Sequence, residues 1–131
     1  MFKEALREVV DGTDGGVAGL LMGYDGIPVD SFTRDDAELD VQTVGMELSG
    51  ALKEIRRASE QLDAGGAKEV AIQAEKLLTI IRMLNGEYFV ALAMKPDGNF
   101  GKGRFLLRLA APKLLAALEC CLLYTSDAAD E

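Results

Sequence analysis

Apolar residues recur at one-turn spacing at the start of the chain. Phe2, Leu6, Val9 and Val10 are separated by charged residues, a pattern that predicts a short amphipathic helix with one face on a core. Gly12 opens the segment GTDGG, whose glycines end the pattern.

Two short apolar runs then flank an Asp-Gly pair. The run GVAGLLMG precedes Asp25 and Gly26, and the segment from Ile27 to Phe32 follows them. An Asp-Gly pair suits the positive φ angles of a tight hairpin turn, so this segment predicts two antiparallel strands. Pro28 has no amide hydrogen, which places the second strand at an edge of the sheet or places Pro28 at its first residue.

The longest periodic segment lies in the middle of the chain. Asp35, with Glu38 three residues later, predicts a capping box at the start of a helix. Apolar residues then repeat every three or four positions, and the glycines of the segment DAGGA predict a left-handed C-cap. The members of this apolar stripe are Val44, Leu48, Ala51, Leu52, Ile55, Ala58 and Leu62.

Three small residues interrupt the first half of this helix. Gly45, Ser49 and Gly50 form helices poorly, and each glycine costs about 1 kcal/mol relative to Ala. Two interpretations stay open at this point: another backbone approaches closely here, or the start of the helix frays.

The second half of the chain predicts three strands and a terminal helix. EVAIQAE alternates in polarity like a half-buried strand, whereas KLLTIIRML and EYFVALAM are more uniformly apolar, as central strands are. Asn85-Gly86 predicts a hairpin between the last two strands and hence a three-stranded meander. The leucine-rich segment after Arg104 predicts a helix that Pro112 should kink. The predicted order is helix, two strands, helix, three strands, helix.

Composition narrows the range of functions. The 131 residues suit a single domain, the net charge is −8, and no basic block offers a grip on nucleic acid or on an anionic membrane. No apolar run is long enough to span a membrane and the N-terminus does not resemble a targeting signal, so we expect a cytoplasmic protein with protein partners. The chain has no histidine, and its two cysteines, Cys120 and Cys121, form no metal pattern, so we expect no catalytic residue, metal or cofactor.

The end of the chain differs in character from the rest. The stretch from Cys121 to Glu131 reads like the translation of a sequencing adaptor. We therefore expect one domain over residues 1–119 and a non-native tail over residues 120–131. The chain remains acidic without this tail.

The glycine-spaced loop GNFGKG does not match the pattern of a phosphate-binding loop, and we do not expect it to bind a nucleotide. A P-loop needs a glycine where Pro96 stands and a hydroxyl where Gly103 stands, so both the phosphate cradle and the metal ligand are missing. We interpret the loop as the turn from the last strand onto the terminal helix, with glycines that supply positive φ angles and close clearance.

The chain resembles the roadblock/dynein light-chain domains, in their bacterial form. The resemblance rests on the order of elements, the hairpin GYDGIPVDSF, the long central helix and the turn DGNFGKGRFLLR, and it covers residues 2–119. It implies an α+β sandwich in which a five-stranded antiparallel sheet carries the central helix on one face and the terminal helices on the other. Pro112, Lys102 and Arg104 depart from the usual pattern.

The resemblance also implies a homodimer. Its interface would join the strand around Val70 to its copy and set the two central helices side by side. The residues expected at this interface are Gly45, Ser49, Leu52, Val70, Ile72 and Ala74. An alternating strand at a sheet edge is a sound candidate for such pairing, because an unpaired edge is otherwise a liability.

The resemblance implies a binding platform for a Ras-like small GTPase. Bacterial roadblock domains can stimulate GTP hydrolysis by such a partner. This makes a non-enzymatic, dimeric GTPase regulator or scaffold the leading hypothesis. Four basic residues, Arg56, Arg57, Lys102 and Arg104, are solvated surface charges by default and candidate contacts to the GTPase.

The alternatives are a small-molecule sensor or a generic protein-interaction domain of similar fold, and an enzyme. A small-molecule sensor would need inward-facing polar residues, for which Gln73, Thr79 and Arg82 are the candidates. Arg82 would then be a buried charge paired with a carboxylate such as Glu75, or it lies on an exposed face. An enzyme would need a carboxylate pair, and the available acids, Glu4, Asp25, Asp30 and Glu69, are typical of surfaces and turns.

Overall fold

The computed structural model describes the backbone of residues 2–130 and the side chains of residues 2–121. The elements follow the predicted order of helix, two strands, helix, three strands and helix. Their bounds are α1 (Phe2–Gly12), β1 (Gly16–Gly23), β2 (Pro28–Thr33), α2 (Val41–Gln61), β3 (Glu69–Gln73), β4 (Leu78–Met83), β5 (Tyr88–Met94) and α3 (Phe100–Asp130).

The five strands form one antiparallel sheet in the order β2-β1-β5-β4-β3. The two edges are therefore β2 and β3. Pro28 is the first residue of edge strand β2, as predicted, so its missing amide hydrogen costs no sheet hydrogen bond. The predicted meander of β3, β4 and β5 is also confirmed.

Each face of the sheet carries its own apolar core. Helices α1 and α3 cover one face, where Leu21, Ile80 and Leu92 are buried against Leu6 and Leu107. Helix α2 covers the other face. Side chains alternate between the two cores along each strand. In β5, Leu92 lies in the core under α1 and α3, and its neighbours Ala91 and Ala93 lie in the core under α2.

The N-cap of helix α2 lies five residues after the predicted one. Asp40, not Asp35, is the N-cap: its carboxylate accepts hydrogen bonds from the Thr43 amide and the Thr43 hydroxyl, and these bonds lower the pKa of Asp40. The predicted left-handed C-cap is present, but Asp63 supplies it with a φ of 55°. The Ala64 amide then donates to the Ser59 carbonyl, which completes the end of the helix.

Close packing explains Gly45, but the neighbours are side chains of β1 and not the backbone that we expected. A Cβ atom at this position would overlap the Leu20 side chain and lie 2.7 Å from Cε of Met22, both on β1. Leu20 and Met22 are buried, so their side-chain ends would have to repack within the core to admit a Cβ atom. Gly50 faces open space, so close packing explains the glycine at position 45 but not the one at position 50.

The two glycine-containing turns of the second half differ in part from expectation. Asn85 shapes the β4–β5 turn through its side chain, whose oxygen accepts hydrogen bonds from the amides of Glu87 and Tyr88, while neither Asn85 nor Gly86 has a positive φ. In GNFGKG the expected positive φ angles are also absent. Gly98 is required by clearance, because a Cβ would lie 2.5 Å from the Asp14 carbonyl oxygen.

The terminal helix starts directly after this turn. The Asn99 side chain accepts a hydrogen bond from the Lys102 amide and so caps α3. The helix continues through Pro112 without a break, and the expected kink there stays a prediction. The predicted non-native tail lies, from residue 122 onward, outside the described side chains. No helix among the described residues is long and apolar enough to span a bilayer.

The two glycines of α2 provide a matched test of the packing. Gly50→Ala should raise the free energy of unfolding by up to about 1 kcal/mol, because Ala favours the helix and meets no neighbour. Gly45→Ala should be less stable than Gly50→Ala by about 1–3 kcal/mol, because its methyl group overpacks the core. Urea unfolding of both variants at one protein concentration measures this difference. Equal stabilities would show that α2 does not lie this close to β1.

Candidate interaction surface

Helix α2 carries two apolar stripes, of which only one is buried. Val41, Gly45, Ser49 and Leu52 face the sheet and are buried. The second stripe is displaced around the helix by roughly a quarter turn. Its members, which we call the outer stripe, are Ala51, Ile55, Ala58 and Leu62, and all four are exposed.

The outer stripe continues along the exposed side of α2. Ile55 is 37% exposed and Leu62 is 79% exposed, and the half-buried Val44 and Leu48 continue the row toward the start of the helix. An amphipathic helix normally buries such a row, and a contiguous apolar patch on a surface marks a site for a partner.

The edge strand β3 shows apolar side chains on the same face of the sheet. Val70 packs against the core beneath α2, and Ile72, two residues on, is 41% exposed. The strand pairs with β4 on one side, so its other edge presents unpaired backbone groups. Ala74 lies beyond the strand, where its amide donates to the Leu77 carbonyl in the turn.

The residues of α2 that we expected at a dimer interface lie beneath the helix. Gly45, Ser49 and Leu52 are buried against the chain's own sheet, and the Ser49 hydroxyl donates to the Met46 carbonyl within the helix. They have little surface to offer a partner. The part of α2 that is open to a partner is the outer stripe, which the sequence pattern contained without showing that it faced outward.

The four basic residues proposed as partner contacts do not form one site. Arg56 and Arg57 lie on α2, where Arg57 donates to Glu54 over 2.9 Å. Lys102 and Arg104 lie at the start of α3, on the opposite face of the sheet. Arg104 bonds Glu69 of β3 over 2.7 Å, and this hydrogen bond, together with the negative charge, raises the pKa of Arg104.

The polar residues proposed for a sensor pocket do not converge either. Thr79 is buried on the α2 face, whereas Arg82 points to the α3 face, since side chains alternate along β4. Gln73 is exposed at the end of β3, and Glu75 is exposed in the following turn, away from Arg82. These residues therefore do not line one cavity.

Three of the four candidate acids of an enzyme have structural partners. Asp25 accepts from the Ile27 amide in the hairpin turn, and Asp30 accepts from the Ser31 amide. Glu69 binds Arg104, and Glu4 is exposed on α1. Across the described residues, no group of three His, Cys, Asp or Glu side chains lies close enough to hold a metal ion.

Solved structures of other proteins share this architecture. MglC from Myxococcus xanthus is 43% identical to this chain, with 87% of this chain and 96% of that chain covered and a TM-score of 0.64. A Roadblock/LC7 domain from Streptomyces avermitilis is 13% identical but has a TM-score of 0.79, with 89% of this chain and 97% of that chain covered. This chain belongs to the family of roadblock-type domains.

A third roadblock-like structure extends the comparison. It is an MglB with a tetrameric arrangement, 17% identical, with a TM-score of 0.79 and coverage of 86% of this chain and 84% of that chain. No protein-family model and no curated protein matches the sequence. The family of this roadblock domain therefore follows from solved structures.

A cavity of about 390 Å³ borders α2 near its C-terminal end. Arg56 lies 4.3 Å over the ring of Tyr24, which is itself 5.4 Å from the ring of Phe89. The Tyr24 hydroxyl is buried and has no hydrogen-bond partner among the described residues. Burial raises the pKa of Tyr24, and the charge of Arg56 offsets part of this increase. Sequence periodicity gave no signal for this aromatic and cationic contact.

Tyr24 should make the stability of the domain sensitive to alkaline pH. An unfolded tyrosine ionises near pH 10, and the folded state holds this proton more tightly, so stability is retained below about pH 10 and lost as the pH rises further. The free energy of unfolding should fall more steeply in the wild type than in Tyr24→Phe over about pH 9.5–11. At neutral pH, Tyr24→Phe should be as stable as the wild type or more so, because it removes an unpaired buried hydroxyl.

Urea unfolding at several pH values measures both effects. Tyr88→Phe, at a half-buried position of β5, controls for the loss of a tyrosine. Equal pH dependence in the wild type and Tyr24→Phe would contradict the burial of the Tyr24 hydroxyl.

Proposed function

We propose that this roadblock domain is a non-enzymatic cytoplasmic protein that forms a homodimer and binds a Ras-like small GTPase as its regulator or scaffold. The observation that carries the proposal is the outer stripe of α2 on the same face of the sheet as the apolar edge strand β3. Two such features in one protomer fit an isologous interface, in which each surface meets its own copy.

The edge strand supplies the first contact of the proposed dimer. Pairing of β3 with its copy would satisfy the backbone groups at that edge and extend the sheet across both protomers. Ile72 would then lie beside apolar neighbours instead of water. Burial of apolar surface contributes about 25 cal/mol per Å², which favours this arrangement over an exposed edge.

The outer stripe supplies the second contact. Its small residues, Ala51 and Ala58, would allow two α2 helices to approach closely, while Ile55 and Leu62 would fill the space between them. The MglB with a tetrameric arrangement shows that a protein of this fold assembles from several copies, which supports an oligomer here as well.

The GTPase partner rests on the family. The resemblance to roadblock domains implies a binding platform for a Ras-like GTPase, and the 43% identity to MglC from Myxococcus xanthus supports a related role for this chain. The absence of histidine and the structural roles of Asp25, Asp30 and Glu69 support a regulatory function over an enzymatic one. Arg56 and Arg57 remain candidate contacts on the α2 face.

Small-molecule binding is the second candidate function. The Tyr24 cavity favours it, because an unpaired buried hydroxyl beside Arg56 offers a ligand one neutral donor and one positive charge. Lys68 and Glu60 also line this cavity. Such a site would be compatible with a dimer, since it needs no residue of the outer stripe.

Charge substitutions on α2 test the dimer. Ile55→Glu should raise the dissociation constant of the dimer by about two orders of magnitude, because an unpaired charge buried in an apolar interface costs several kcal/mol. Met46→Glu is the matched control: Met46 is 63% exposed on another side of the same helix, so its replacement should leave the dimer intact. Light scattering gives the mass of each variant, and circular dichroism verifies its fold.

The edge strand is tested in the same way with Ile72→Lys. A wild-type monomer, or a dimer that survives both Ile55→Glu and Ile72→Lys, would contradict the proposed interface.

GTPase binding needs a separate experiment. A purified Ras-like GTPase from the same source, loaded with GDP or with a non-hydrolysable GTP analogue, should bind the wild type and prefer one nucleotide state. Titration calorimetry measures the affinity, and phosphate release measures any change in hydrolysis. A dimer that binds neither loaded form would contradict the GTPase partner while leaving the dimer itself standing.

A further inference from the structure

A groove of about 240 Å³ lies between the start of α3 and the edge strand β3. Arg82 reaches it from β4, on the face opposite α2. Arg104 and Arg108 are one helical turn apart on α3 and therefore border the same side of that helix. We call this feature the arginine groove, and its lining residues are Glu69, Arg82, Gly101, Arg104, Phe105 and Arg108.

The arginine groove carries more positive than negative charge. Nε of Arg104 donates to Oε2 of Glu69 over 2.7 Å, and Nη2 of Arg104 forms an ion pair with the same oxygen at 2.7 Å. Arg82 lies opposite Glu69 in the strand register, yet neither Arg82 nor Arg108 has a carboxylate within 4.0 Å among the described side chains. Two guanidinium groups are therefore free to bind an anion, in a chain whose net charge is −8.

Apolar side chains lie beside these charges. Phe105 and Leu109 are each 52% exposed and lie one turn apart on α3, next to Arg104 and Arg108. Lys102 adds a further positive charge 6.0 Å from the centre of the Phe105 ring. Arginine and aromatic residues together are typical of the centres of protein interfaces, where each guanidinium group can bind a carboxylate in a two-pronged contact.

We propose that the arginine groove binds an acidic peptide segment of a partner protein. Carboxylates of the segment bind Arg82 and Arg108, and an apolar side chain packs on Phe105 and Leu109. A long polyanion such as nucleic acid fits less well, because the acidic chain repels it beyond the groove. The groove lies on the face opposite the outer stripe, so this inference does not depend on the dimer or on GTPase binding.

Substitution of Glu69 tests whether the affinity for the peptide changes in the expected direction. Its carboxylate occupies Arg104 in the free protein and competes with an incoming carboxylate. Glu69→Gln keeps the size of the side chain and releases Arg104, so it should tighten binding. Arg82→Gln and Arg108→Gln remove the free guanidinium groups, so they should weaken binding.

The probe is a short synthetic peptide in which glutamates alternate with phenylalanines, labelled with a fluorophore. Fluorescence anisotropy with the full chain should show saturable binding that weakens as salt is added, since ion pairs are screened. Arg82→Gln and Arg108→Gln should each reduce the affinity about tenfold, the effect of losing one charged hydrogen bond. Glu69→Gln should increase it severalfold.

Two controls make the result specific. Arg57→Gln removes an exposed arginine from the opposite face and should leave the affinity unchanged. A peptide with alanines in place of the phenylalanines should bind at least several times more weakly. Circular dichroism verifies that each variant is folded.

The proposal is overturned by any of three results. The peptide does not bind the wild type, it binds the Arg82→Gln and Arg108→Gln variants equally well, or the alanine peptide and inorganic phosphate compete as strongly as the phenylalanine peptide. The last result would identify a general anion site in place of a peptide groove.

Discussion

The contact between Gly45 and β1 determines which side of α2 faces outward. With no Cβ at this position, the helix lies directly on the buried side chains of Leu20 and Met22. A larger residue would have to displace the ends of the Leu20 and Met22 side chains. Since the row that includes Val41 and Leu52 is held inward by this approach, the neighbouring row of apolar residues has no place in the core and forms the outer stripe.

A second contact holds the other end of the helix. Arg56 lies on the ring of Tyr24, which packs on Phe89 in the core, so the C-terminal half of α2 is attached to the hairpin between β1 and β2. Exposed cation–π contacts contribute about 0.5–1 kcal/mol and more when they are desolvated. With both halves attached to the sheet, α2 presents the outer stripe on a rigid element, which lowers the entropic cost of binding a partner.

Much of the architecture follows from local sequence signals, and the orientation of α2 does not. Pro28 and Asp25-Gly26 act within a few residues, and they predicted the first hairpin and its edge position correctly. The predicted start of α2 is wrong because Asp35 and Asp40 are both acceptable N-caps. Only Asp40 is followed by a residue, Thr43, whose hydroxyl donates a hydrogen bond to the capping carboxylate.

Periodicity likewise showed that α2 is amphipathic without showing which half of a wide apolar arc packs inward. The close packing of Gly45 on Leu20 and Met22 favours one half, and it depends on side chains of β1 more than twenty residues away. The arginine groove could not be predicted from local sequence signals either, because it joins residues of three elements that are distant in sequence.

Strand β3 connects the two faces of the domain. Val70 and Ile72 face α2 and the proposed dimer contact, whereas Glu69 faces α3 and holds Arg104. If β3 pairs with its copy, the two strands lie side by side at the centre of the extended sheet, and the arginine groove of each protomer comes to flank the same axis on the α3 face. One short edge strand then determines both the dimer on one face and the spacing of two acidic-peptide sites on the other, so a partner with two acidic segments would bind the dimer more tightly than a monomer.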